Sequence, residues 1–136
     1  MLDINNLLEL TKSIAVNAGQ RLLNDLSIEH KKYVHSDEFP KEVKALADTV
    51  LEQDILKSLS STGFPILSEE AGYISGQSES KYWFIVDPLD GTFNFIKGLG
   101  PCAVSIAFWE EQKPIFGVIY DIYSQELYWG GEKFGA

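Results

Sequence analysis

From residue 4 to residue 26 the chain repeats at intervals of three and four. Ile4, Leu7, Leu8, Ile14, Ala15, Ala18, Leu22 and Leu26 form one stripe, with Thr11 in the same line. That period predicts an amphipathic helix, and Asp3 stands where an N-cap carboxylate belongs. A second helix is predicted from about Val43 or Asp48 to Leu59, closed by Ser60-Ser61-Thr62-Gly63. Between them, His30 to Lys44 is polar and contains Pro40, and reads as an exposed loop or a weak hairpin. The pattern then shortens. Apolar runs at Phe64–Leu67, Tyr82–Val86, Ala103–Trp109, Ile115–Tyr120 and Glu126–Trp129 predict five strands. Polar turns such as Glu110-Glu111-Gln112-Lys113 and Ser124-Gln125 separate them. Gly72–Ser80, rich in Gly and Ser, reads as a mobile loop. Helix, helix, then strands without intervening helices is the order of an α+β fold: two N-terminal helices packed on a largely antiparallel sheet.

Composition narrows the functional classes. The 136 residues suit one domain with a real core, and 45% hydrophobic with 23% charged residues is ordinary for a globular protein. A net charge of −9 argues against nucleic acid, whose phosphates attract an excess of Lys and Arg. A single cysteine, Cys102, excludes an intramolecular disulfide and suits a reducing cytoplasm. The start, Met1-Leu2-Asp3-Ile4-Asn5-Asn6, lacks the features of a signal peptide. No apolar run approaches the ~20 residues of a membrane span. The expectation is a cytoplasmic protein without membrane or nucleic-acid partners.

Candidate chemistry concentrates where Tyr82-Trp83-Phe84-Ile85-Val86 runs into Asp87-Pro88-Leu89-Asp90-Gly91-Thr92. Two carboxylates three residues apart at the end of an apolar strand, with Glu69-Glu70 ending the strand before, place several hard oxygens together. A hard divalent cation such as Mg²⁺ takes few carboxylates, some waters and often a substrate phosphate. Pro88 holds Asp87 extended, and Gly91 permits a sharp turn. Read without that cation, Asp87 to Gly91 is an ordinary turn, and Glu69 and Glu70 are a solvated strand end. Asp48 either caps the second helix or, sharing a face with Leu51 and Ile55, is a carboxylate that needs a partner. His30, His35 and the lysines Lys31, Lys32, Lys41 and Lys44 read as surface groups, and Cys102 as inert.

Trp83-Phe84-Ile85-Val86-Asp87-Pro88-Leu89-Asp90-Gly91-Thr92-Phe93-Asn94-Phe95 resembles the signature of the inositol monophosphatase family. These are lithium-sensitive, Mg²⁺-dependent phosphomonoesterases that include the 3′(2′),5′-bisphosphate nucleotidases. Asp48 to Glu52, Leu67-Ser68-Glu69-Glu70, Val104–Ala107, Gly117–Tyr120, Glu126–Tyr128 and Gly135-Ala136 resemble further family segments in order. The resemblance implies metal ligation by Glu69, Asp87, the Leu89 carbonyl and Asp90, with Asp87 bridging two cations. It implies phosphate capture by the N–H groups of Gly91 and Thr92. Asp48 paired with Thr92 would orient the attacking water, and Glu70 would position the metal-bound water. The implied function is hydrolysis of inositol monophosphate or a similar small phosphate ester, by a homodimer in the full-length form. Two alternatives stand beside it: a nucleotidase acting on 3′-phosphoadenosine 5′-phosphate, and a non-catalytic half-domain serving as an interaction module.

Two departures from the family pattern matter. Lys41-Glu42-Val43-Lys44-Ala45-Leu46-Ala47 replaces the usual polar approach to the helical aspartate. A family Trp-Asp pair is also absent, since Trp83, Trp109 and Trp129 precede Phe84, Glu110 and Gly130. Residues 1–136 are therefore expected to be the N-terminal α+β domain of a longer enzyme, with the second half outside this chain and little activity by themselves.

Overall fold

The computed structural model describes residues 2–33, 51–69, 71–77, 79–90 and 103–133, with 25–33 and 88–90 described by backbone alone. Helix α1 spans Ile4–Tyr33. Asp3 caps it: Asn6 N–H donates to Asp3 Oδ1 at 3.1 Å, and Leu7 N–H donates to the Asp3 carbonyl at 3.0 Å. The stripe read from periodicity is the buried one, with Leu7, Leu8, Thr11, Ile14, Ala15, Ala18 and Leu22 all inside. Thr11 satisfies its hydroxyl by donating to the Leu7 carbonyl at 2.8 Å. Helix α2, described over residues 51–60, buries Leu51, Ile55 and Leu59 completely. Its last turn closes as Thr62 N–H donates to the Leu59 carbonyl and Gly63 N–H to the Ser60 carbonyl. Gly63, at φ 81°, then turns the chain away in the left-handed conformation that glycine adopts freely.

The sheet has six strands: β1 Ile66–Ser68, β2 Gly72–Ile74, β3 Tyr82–Asp90, β4 Ala103–Glu110, β5 Lys113–Asp121 and β6 Glu126–Gly130. Their order is β2-β1-β3-β4-β5-β6. Only β1 and β3 run parallel; every other neighbour is antiparallel. One face carries the helices. Along β4 the burial alternates, so Val104, Ile106 and Phe108 point inward, and their partners Phe84, Val86, Phe116, Val118 and Tyr120 do the same. Phe108 anchors this layer, its ring centroid 4.8 Å from that of Phe84, 5.3 Å from Phe64 and 5.4 Å from Phe116. The opposite face carries Trp83, Ile85, Trp109, Ile119 and Tyr128, and Ile119 and Tyr128 are exposed.

Three expectations need correction. The polar region from His30 was read as a loop, yet α1 continues to Tyr33. Periodicity registers only apolar residues, whereas Glu29, Lys31 and Lys32 extend a helix already nucleated at little cost. The Gly72–Ser80 loop contains β2, whose backbone pairs with β1 while Tyr73 stays largely exposed. An edge strand of three residues needs no hydrophobic alternation. Finally, β3 does not stop at Val86 but runs to Asp90. The sheet is mixed and mostly antiparallel, with six strands rather than five. The start of the second helix, the rest of the His30–Lys44 segment, His35 and Cys102 lie outside the described residues.

Two outcomes follow from the packing of α1 on β5. A Cβ on Gly19 would lie 2.5 Å from the buried Tyr120 ring. Gly19→Ala is therefore expected to lower stability by about 1–3 kcal/mol through overpacking, outweighing its gain in helix propensity, and a thermal melt reads this. The Tyr120 hydroxyl, in turn, is buried without a hydrogen bond of full geometry among the described residues, and the Gln20 side chain touches it only at the margin. Burial raises its pKa above the ordinary value of 10.0, with the Gln20 side chain opposing the rise and Asp121 adding to it. A phenol held neutral by the fold contributes stability below that value, which is lost as pH climbs past it. Tyr120→Phe should be neutral or stabilising at pH 7 and should soften the decline in melting temperature above about pH 10.

Candidate metal centre at the end of the parallel strand pair

The parallel register of β1 with β3 pairs Ile66 with Phe84, Leu67 with Ile85 and Ser68 with Val86. One residue further, Glu69 N–H donates to the Val86 carbonyl at 3.1 Å. Glu69 is thereby fixed level with Asp87 on the neighbouring strand. Parallel strands end at the same side of a sheet, so the two carboxylate-bearing residues emerge together although eighteen residues separate them. Glu69 is exposed and Asp87 half-buried.

The antiparallel partner of β3 explains the spacing of its two aspartates. Asp87 pairs with Ser105 and Asp90 pairs with Ala103, so Pro88 and Leu89 together stand opposite the single residue Val104. This is a β-bulge, placed where Pro88 has no N–H to give the ladder. In a regular strand, positions three apart belong to opposite faces. Ser105 and Ala103 are two apart on β4, and the extra residue on β3 lets the Asp87 and Asp90 backbones pair with both of them.

Glu69 and Asp87 are thus brought together, and the Leu89 and Asp90 backbones follow on the same strand. Asp48, Glu70, Gly91 and Thr92 lie outside the described residues, as do the side chains of Leu89 and Asp90. Among the described residues, no group of three or more His, Cys, Asp or Glu gathers to hold a metal. The donors that are placed still suit one chemistry. Carboxylate oxygens, one on an open strand end and one half sheltered, fit a hard divalent cation that keeps part of its water shell.

Sequence reasoning assigned no role to Glu52. In the fold, its carboxylate Oε2 accepts a hydrogen bond of 3.3 Å from the buried hydroxyl of Ser68, the last residue of β1. The signal lay in the spacing, since Glu52 falls between Leu51 and Ile55, the apolar positions of the predicted second helix.

The sequence profile of the inositol monophosphatase family matches residues 3–136. A fructose-1,6-bisphosphatase/inositol-1-monophosphatase of Aquifex aeolicus is 34% identical over 100% of this chain and 51% of its own length. An inositol-1-monophosphatase of Mesorhizobium japonicum is 37% identical over 90% of this chain and 46% of its own. The crystal structure of the extragenic suppressor protein SuhB of Bartonella henselae superimposes with a TM-score of 0.77 at 31% identity, covering 96% of this chain and 50% of that one. The chain spans about half the length of the curated relatives it matches. On the match across its described sheet, helices and signature strand, the chain belongs to the inositol monophosphatase family.

Proposed function

We propose that this chain is the N-terminal half of a metal-dependent phosphomonoesterase acting on inositol monophosphate or a similar small phosphate ester. The observation that carries the reading is the adjacency of Glu69 and Asp87 at the shared end of β1 and β3, with the Asp90 backbone following on β3 just past the bulge. Glu69, Asp87, the Leu89 carbonyl and Asp90 are assigned to hold Mg²⁺. Bound there, the cation supplies a more acidic water and offsets the charge of the phosphate. The chain's own groups do the rest. In this reading the Gly91 and Thr92 N–H groups would receive the phosphate oxygens, Asp48 and the Thr92 hydroxyl would orient the attacking water, and Glu70 would hold its position. No nucleophilic side chain is required.

The relatives named both as fructose-1,6-bisphosphatase and as inositol-1-monophosphatase support a small, polyhydroxylated substrate and favour it over a nucleotide. The apolar sheet face bearing Trp83, Ile85, Trp109 and Ile119 supports a further layer packed against it in the whole protein, where a homodimer is the proposed state. Among the described residues no helix is long and apolar enough to cross a membrane. We place the protein in the cytoplasm on its single cysteine and acidic composition.

Full-length enzyme should release phosphate from inositol monophosphate or fructose 1,6-bisphosphate faster than from 3′-phosphoadenosine 5′-phosphate. It should stop in excess chelator and recover on adding Mg²⁺; release undiminished by chelator overturns the reading. Thr92→Ala should slow turnover by about 10²–10⁴-fold, the usual contribution of positioned proton transfer, while cation affinity measured by calorimetry stays near the parent value. Glu69→Gln should do the reverse first, weakening the cation. Since Glu69 is an exposed strand end, its metal-free melting temperature should not change.

A further inference from the structure

The short strand β1 presents a mechanical difficulty. It has only three residues, and the one after it, Glu69, is a proposed metal ligand. Glu69 is held to β3 through a single backbone hydrogen bond to Val86. A ligand at the end of so short a strand needs a second restraint if its carboxylate is to stay level with Asp87. The fold supplies one from the helix layer. Ser68, 2% exposed, points its hydroxyl away from solvent and donates it to Glu52 on α2. Glu52 is half-buried and follows directly on the fully buried Leu51, so its backbone is fixed by core packing. A buried hydroxyl left without an acceptor is costly, so this bond sets which way β1 ends.

We infer that Glu52 is a positioning residue of the cation site, acting through Ser68 to hold Glu69 beside Asp87. The inference rests on the proposed reading of Glu69 and Asp87 as cation ligands. Glu52 acts as a hydrogen-bond acceptor and not as a charge. It clamps the end of β1 to α2, so one bond ties the strand that leads into a ligand to a helix whose Leu51, Ile55 and Leu59 are fixed in the core. Groups that orient metal ligands from behind typically change metal affinity by about 10–100-fold when removed.

The test is calorimetric titration of the full-length protein with Mg²⁺, beside metal-free melts of each variant. Glu52→Ala and Ser68→Ala should each weaken binding about 10-fold. The double variant should be no weaker than either, because both break the same bond. Glu52→Gln keeps an amide oxygen that can accept from Ser68, and should bind within about twofold of the parent. Three results overturn the inference. Glu52→Gln as weak as Glu52→Ala would show the carboxylate charge acting on the cation directly. Additive losses in the double variant would show two independent effects. Lowered melting temperatures with unchanged Mg²⁺ affinity would show a purely structural bond. If the full-length parent itself binds no Mg²⁺, the reading of the site falls and this inference falls with it, an outcome distinct from parent binding that Glu52→Ala leaves untouched.

Discussion

Parallel pairing of β1 with β3 is the constraint from which the rest of the molecule takes its arrangement. Hydrogen bonds along this pair demand that both strands end at the same side of the sheet, and both are followed or tailed by carboxylates. The price of that arrangement is topological. Parallel neighbours cannot be joined by a tight hairpin, so the chain must leave β1, form the edge strand β2 and return before β3 begins. From β3 onward every neighbour is antiparallel, and β4 and β5 are joined by the two-residue Glu111-Gln112 connection with Glu111 at φ 52°. The Trp83 indole closes that corner by donating to the Glu111 carbonyl at 2.8 Å.

One-sided burial supplies the rigidity against which the site is built. Phe84 and Val86, the inward residues that precede Asp87, are sealed beneath the helices together with Ile106 and Phe108 of β4. Side chains packed at this density have little freedom to slide, and the register of β3 is consequently fixed up to the residue before the bulge. The helices are tied to the sheet and to each other. Arg21 of α1 pairs with Asp54 of α2, and the Lys12 ammonium sits 3.8 Å from the ring centroid of Trp129 on β6. Ser68 and Glu52 belong to the same set of cross-layer ties, placed where the sheet gives way to the site.

What was legible in the residues divides along physical lines. Local, repetitive order was readable. The Leu7 to Leu22 stripe, the Asp3 cap, the Leu51 and Ile55 face and the apolar runs of β4 and β5 all depend on neighbours within a turn or a few residues. The signature around Asp87 was readable as chemistry and as kinship. Pairing was not. Nothing near Ile66 states that its partner is Phe84, because that choice is made by burial across the whole sheet. The same holds for β2, whose Gly72-Tyr73-Ile74 has no periodicity of its own, and for the continuation of β3 beyond Pro88, a residue that ordinarily argues against a strand. The Glu52–Ser68 bond was invisible for a further reason, since it joins a helix to a strand sixteen residues away through side chains alone.

The bulge at Pro88 and Leu89 also governs how the gene can vary at this point. Substitutions in the two bulged positions alter one side chain each, but a change in their number alters the bulge itself. Removing one residue would leave a single residue opposite Val104, so the ladder would become regular with the Asp90 backbone still level with Ala103, and the local kink between the two aspartates would be lost. The extra residue therefore sets how far apart along β3 the two aspartates stand, and not which residues of β4 they meet. Among descendants of this sequence, a length change here should be purged more strictly than a replacement of either residue, and than a length change in the exposed connection from β2 to β3.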